Sequence, residues 1–75
     1  MSQLRDKKLL HKIALVIIEL RKAKSVSQAD VYNDTNIHIG RIETARTNLS
    51  VSTLSEICKY FKIPLSEFHK RVEEL

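Results

Sequence analysis

The sequence predicts an all-α fold, five helices in one small domain. Three observations carry this. Among 75 residues there is one glycine and one proline, too few turn-formers for an all-β chain. Apolar side chains recur at helical spacing in several separate stretches. Strong helix-start signals stand in front of the later ones.

The first helix is expected over about residues 4–23. Leu10, Ile13, Ala14, Ile17 and Leu20 follow one face at the 3.6-residue period. Leu9, Val16 and Ile18 lie off that stripe, so the helix is apolar on more than one side. Either it is deeply packed or part of it meets another chain.

The run Lys24-Ser-Val-Ser-Gln-Ala-Asp-Val31 starts a second helix, expected from about Gln28 to Asp34. Ser27 is a good N-cap, Asp30 stands where a capping box needs its acid, and Val26 and Val31 can close a hydrophobic staple. Further on, Ser50 caps a fourth helix with Leu54, Ile57, Cys58 and Phe61 inside. Pro64 disfavours helical geometry at Ile63 and ends that helix near Lys62. The same proline suits the first turn of a fifth helix, with Leu65, Phe68, Val72 and Leu75 inward. His69 falls beside that stripe, at its boundary. Helices 4 and 5 together are expected over about residues 51–74.

Composition narrows the function. The one cysteine, Cys58, excludes an internal disulfide and any zinc site built on paired cysteines. At its place in the helical stripe it reads as a small core side chain. An unpaired cysteine fits a reducing cytosol. The longest apolar run, Ile13-Ala-Leu-Val-Ile-Ile18, is far below the roughly 20 residues a bilayer requires. No signal-peptide cleavage pattern follows it. The expectation is a soluble, cytoplasmic protein. A formal charge of +4 and a pI near 9.5 lean toward a polyanionic partner. Arg5, Lys7, Lys8 and Lys12 open the chain, followed by Arg21, Lys22 and Lys24, with Lys70-Arg71 near the end.

Between helices 2 and 4 lies Asn36-Ile-His-Ile-Gly-Arg-Ile-Glu-Thr-Ala-Arg-Thr-Asn48, which holds the chain's glycine, Gly40. Two short helices joined by a tight turn inside so small a domain suggest a helix-turn-helix, here about residues 27–45. In that motif the first helix braces on the DNA backbone and the second enters the major groove.

The residues Leu20-Arg21, Ser27-Gln28, Val31, Ile39-Gly-Arg-Ile-Glu43, Asn48, Ser50-Val-Ser-Thr-Leu54 and Ile63-Pro-Leu-Ser-Glu-Phe68 closely resemble the phage-repressor and Cro-like helix-turn-helix proteins, the XRE type. The likeness covers roughly residues 10–70. It implies a lambda-repressor-like domain in which helices 2 and 3 form the DNA-binding unit. It also implies that Gln28 bonds a phosphate or a nearby base edge, and that Arg21 pairs with Glu43. A paired arginine is not free to neutralise phosphate, so those two are assigned to the scaffold.

This chain departs from the family in two ways. Its helix-turn-helix is shorter than the common pattern by about three residues, almost one helical turn. The usual glycines are also absent, with Ser25 at the exit of helix 1 and Asn36 at the turn. Asparagine tolerates left-handed backbone geometry and fits the turn. Serine fits less well and suggests a different exit. Either helix 2 is kept, with its turn at Thr35-Asn36-Ile37 and helix 3 beginning at His38, or helix 2 ends near Tyr32 and Asp34 or Thr35 caps helix 3. Asn36 favours the first option; Tyr32, where relatives pack an alanine, favours a change in helix 2.

On the first option helix 3 runs from about His38 to Ala45, with Ile39 and Ile42 inward and Ile37 plugging the turn. His38, Gly40, Arg41 and Thr44 face outward. Gly40 costs about 1 kcal/mol of helix propensity against alanine. It permits close approach to DNA, or relieves crowding against helix 2. Arg41 is the candidate base reader, since an arginine can bond both major-groove acceptors of guanine. His38 is placed to donate to a phosphate or a base, or to cap. The resemblance puts Arg46, Thr47 and Asn48 in a loop that grips phosphates and fixes register.

The expected function is therefore sequence-specific binding of double-stranded DNA as a transcriptional regulator, a homodimeric repressor on a palindromic operator. The alternative is an antitoxin-type module that neutralises a partner toxin and autoregulates its operon, using the over-apolar helix 1 and the Phe68–Leu75 tail. No Gly-rich phosphate loop, paired carboxylates or catalytic triad supports an enzyme. No cofactor or metal is expected.

Overall fold

The structure, a computed structural model, describes residues 6–75. Among them are five helices and no strand: α1 (Lys7–Lys24), α2 (Gln28–Thr35), α3 (Ile39–Glu43), α4 (Val51–Tyr60) and α5 (Leu65–Glu73). The expected start of the first helix at Leu4, and Arg5 of the basic cluster, lie outside the described residues. The helix begins at Lys7 because Asp6 caps it, its carboxylate accepting from the Leu9 amide at 3.0 Å. Asp6 is a good N-cap residue that the apolar periodicity alone passes over.

Ser27 and Asp30 form the capping box in both directions: the Ser27 hydroxyl accepts from the Asp30 amide at 3.0 Å and the Asp30 carboxylate from the Ser27 amide at 2.9 Å. Ser50 opens α4 by accepting from the Thr53 amide at 3.1 Å. Pro64 is the residue before α5 rather than in its first turn, with φ −62° and ψ 145°. Leu75, expected inside, lies beyond the end of α5 and is 53 % exposed.

The core joins Ile13, Val16 and Ile17 of α1 to Val31 of α2, Ile39 and Ile42 of α3, Leu54, Ile57 and Cys58 of α4, and Phe68 and Val72 of α5. Each fully buried aliphatic or phenyl side chain contributes about 1.5–3 kcal/mol of transfer free energy. Val16, off the principal stripe of α1, is fully buried, while Leu9 and Leu15 stay exposed. Deep packing therefore accounts for one side of α1 only. Burial holds the Cys58 thiol up in pKa, as befits a core side chain rather than a nucleophile.

The helix exits are unusual. Ser25 (φ 59°), Asn36 (φ 64°), Ala45 (φ 61°) and Lys62 (φ 57°) all adopt the left-handed conformation, and no glycine does. At Ser25 the amides of Ser25 and Val26 reach back to the carbonyls of Lys22 and Arg21, a Schellman exit made without glycine. The expectation of a different exit is thereby corrected. Packing of Val26 and Ile37 against the core offsets a backbone cost of about 1–2 kcal/mol per non-glycine residue.

Among the described residues, no helix is long and apolar enough to cross a membrane.

Candidate nucleic-acid interface

The inner side of α3 is bolted to α1 and α2 by one carboxylate. Glu43, whose side chain is 6 % exposed, accepts from Arg21 Nε at 2.8 Å, Arg21 Nη2 at 3.2 Å and Gln28 Nε2 at 2.9 Å. Arg21 Nη1 also donates to the Val26 carbonyl at 3.1 Å. The hydrogen bond to Glu43 holds the Arg21 guanidinium above its ordinary pKa. This fork is geometrically specific and charge-assisted, and it leaves Arg21 committed to the scaffold.

Gly40 belongs to the same arrangement. Its φ is not positive, so no turn demands a glycine there. A Cβ at this position would lie 3.0 Å from Gln28 Oε1 and 3.4 Å from its Cδ. The missing side chain makes room for Gln28 to cross α3 and reach Glu43. Of the two readings of Gly40, crowding against α2 has the visible contact.

Of the two helices in the helix-turn-helix, α3 is the one shorter than expected. α2 keeps eight residues, Gln28–Thr35. α3 is Ile39–Glu43, shorter at both ends than the expected span from His38 to Ala45. Thr44 closes it and its hydroxyl donates to the Arg41 carbonyl at 2.6 Å, after which Ala45 turns left-handed. At the front, the turn is tied by Thr35, which donates to the Val31 carbonyl at 2.7 Å and accepts from the Ile37 amide at 3.1 Å. Ile37 is half-buried and packs against the core.

His38 is the N-cap residue of α3 but its side chain makes no capping bond. Its ring instead lies against Tyr32, centroids 4.4 Å apart and planes at 31°. Tyr32, expected to alter α2, leaves α2 intact and covers the leading end of α3.

The outer surface collects the expected residues in three places. Gln28, His38, Gly40 and Arg41 line one cleft of about 340 Å³ with Tyr32. Arg41, Thr47 and Asn48 line a neighbouring hollow of about 310 Å³. Arg46 stands apart, with Ala45, beside Lys7 and His11 of α1. His38, Arg41, Thr44, Arg46 and Thr47 are exposed and Asn48 is half-buried. Neither Arg41 nor Arg46 has an ion-pair partner among the described residues.

Sequence reasoning missed Tyr32, Lys7 and His11 as neighbours of this surface. Tyr32 and His38 meet across a turn that no periodicity reveals. Lys7 and His11, spaced i and i+4, sit on one face of α1. That spacing was a usable signal, though nothing in sequence ties it to Arg46.

Among the described residues, no group of three or more His, Cys, Asp or Glu side chains is arranged to hold a metal. A helix-turn-helix family model matches residues 17–68, from the middle of α1 to the middle of α5. No curated protein and no solved structure matches the chain.

Proposed function

The chain belongs to the XRE-type helix-turn-helix family of DNA-binding transcriptional regulators, and on that premise we propose that it binds one operator sequence through the outer face of α3. The observation that carries this is the contrast between its arginines. Arg21 is consumed by Glu43, whereas exposed Arg41 and Arg46 have no acid partner among the described residues. Unpaired guanidinium groups flanking a helix-turn-helix are what a duplex requires, one for a base edge and one for the backbone. Arg41 reads guanine. Gln28 offers its remaining amide capacity, His38 its ring, and Thr44, Thr47 and Asn48 short polar groups to the same strand. Arg46 grips phosphate, and Lys7 and His11 extend that grip onto α1.

The operator is palindromic and the protein acts as a homodimeric repressor, with two copies of α3 one DNA turn, roughly 34 Å, apart. Leu9 (43 % exposed) and Val51 (73 % exposed) flank an apolar groove over Leu10, Ile13 and Leu54, which supports association with a second copy. The same groove would serve a toxin partner; a stable one-to-one complex with a co-encoded basic nuclease is the observation that would favour that reading.

Selection from random duplexes at two salt concentrations tests the main proposal. Wild type enriches one motif; Arg41→Ala relaxes preference at one position by roughly the 1–3 kcal/mol of a bidentate base contact. Arg46→Ala weakens binding to all sequences and lowers the salt slope by about one. Failure of wild type to enrich any sequence, even at low salt, defeats the proposal.

A further inference from the structure

The recognition helix is too short to fill a major groove by itself. With Gly40 bare, its own outward side chains reduce to Arg41 and Thr44, and the Thr44 hydroxyl, already donating to the Arg41 carbonyl at 2.6 Å, keeps only its acceptor capacity for DNA. What stands in front of α3 is the ring pair of Tyr32 and His38, 4.4 Å between centroids. Tyr32 is a large aromatic left 39 % exposed, on the wall of the cleft that also holds Arg41. Gln28 and Tyr32 are four residues apart and therefore project from one face of α2.

The chain's two tyrosines differ in a telling way. The Tyr60 hydroxyl donates to Asp34 at 2.7 Å. No hydrogen bond from the Tyr32 hydroxyl is found among the described residues. Tyr32 thus presents an apolar ring edge and an uncommitted phenol beside the candidate base reader, while His38 holds the ring at a fixed tilt. Ring contact of this kind limits rotamer freedom, so little order has to be created on binding.

We propose that Tyr32 is a specificity-determining residue that reads a thymine next to the base pair met by Arg41, with His38 as the residue that positions its ring. Thymine is the base with a matching major-groove edge: a C5 methyl group for the ring and an O4 acceptor for the phenolic hydroxyl. α2 and the turn thereby add reading surface to a recognition helix of only five residues. This rests on the regulator reading above, and its test separates the two.

The experiment takes the motif enriched by wild type and measures affinity for that duplex and for versions with single thymines replaced by deoxyuridine. Wild type loses severalfold in affinity at one thymine, beside the Arg41-dependent position. Tyr32→Ala binds about tenfold more weakly, enriches a motif in which that position is free, and no longer distinguishes thymine from uracil there. Tyr32→Phe keeps the methyl discrimination and loses part of the preference for thymine over cytosine. A purely structural role for Tyr32 would lower affinity for all duplexes alike and leave the uracil penalty in place, which overturns the inference. An unchanged motif and affinity in Tyr32→Ala also overturns it, while the regulator reading survives. If wild type enriches nothing, it is that reading which fails.

Discussion

The two faces of α3 differ in how firmly they are held. Inward, Ile39 and Ile42 are buried in the core and Glu43 accepts three side-chain hydrogen bonds within 3.2 Å. Outward, His38, Arg41 and Thr44 are exposed, and among the described residues their side chains are held by no more than the tilted ring contact of His38 with Tyr32 and the Thr44 hydroxyl bond to the Arg41 carbonyl. Five residues cannot form a stable helix alone. The inner face makes the helix exist, and the outer face is thereby free to carry chemistry that stability does not need.

That comparison breaks most visibly at Ile39, which is 1 % exposed. Ile39→Ala should cost about 3 kcal/mol, within the range for emptying a buried aliphatic site. Arg41→Ala, two residues away, should stay within about 0.5 kcal/mol while DNA selectivity drops. Urea unfolding of both variants, set beside their duplex binding, measures the separation. Comparable stability losses would show that the two faces are not independent.

Most of the inner face was legible in the sequence, and much of the outer face was not. The isoleucine spacing, the Ser27–Asp30 box and the Ser50 cap are local signals, and local geometry realises each. Arg21 and Glu43 came from resemblance, since nothing local joins residues 22 apart. The left-handed exits at Ser25, Ala45 and Lys62 defied reading because their residue types oppose that backbone. Packing on both sides of a turn imposes it at a cost of about 1–2 kcal/mol each. The early end of α3 follows from the same effect, because Ala45 already turns left-handed. The Tyr32–His38 stack depends on the shape of a turn, which the residues permit but do not announce.

A smaller effect is expected at Glu43. Glu43→Gln keeps the volume but leaves the Arg21 guanidinium, whose side chain is 18 % exposed, without its counter-charge. The loss should be about 2 kcal/mol, in line with hydrogen bonds to charged groups. Replacing Arg21 and Glu43 together by Met and Leu should cost less than either single change, since no charge is then stranded. A double-mutant cycle by thermal or urea unfolding gives the coupling. Simple additivity would mean that the fork positions α3 without stabilising it.

The exits yield a gain instead. Ala45→Gly should stabilise the fold by about 1 kcal/mol, the left-handed penalty of alanine being removed and partly offset by the freer unfolded chain. Gly40→Ala is the informative counterpart. It gains helix propensity of about 1 kcal/mol but displaces Gln28, whose Oε1 would sit 3.0 Å from the new Cβ. The two effects should nearly cancel. In a Gln28→Ala background the obstacle is gone, and Gly40→Ala should then be stabilising by the full propensity difference. If its effect is the same in both backgrounds, Gln28 is not the reason for the glycine.

The smallest effects concern the ionisable pins at the two ends of α2, the helix that presents α3. At its start, hydrogen bonds from the Ser27 backbone and side chain hold the Asp30 carboxyl below its ordinary pKa. A depressed carboxyl contributes stability that is complete above its unfolded pKa and is lost as pH falls through the folded one. At the other end, the hydrogen bond to Asp34 pushes the Tyr60 phenol up to about 12. Here the neutral form is favoured, so the contribution is complete below the unfolded pKa, near 10 for tyrosine, and is lost as pH rises through the folded value. Lys24, 5.2 Å from the Tyr60 ring centroid, adds the end of α1 to this corner. Phenolate absorbance should therefore show a late step that is missing in Tyr60→Phe and moves down in Asp34→Asn. Asp30 and Asp34 are exposed and Tyr60 is half-buried, so each change in unfolding free energy should be slight and confined to its own pH window. A late step that persists in Tyr60→Phe, or that does not move in Asp34→Asn, would show that the hydrogen bond to Asp34 is not what retains the proton.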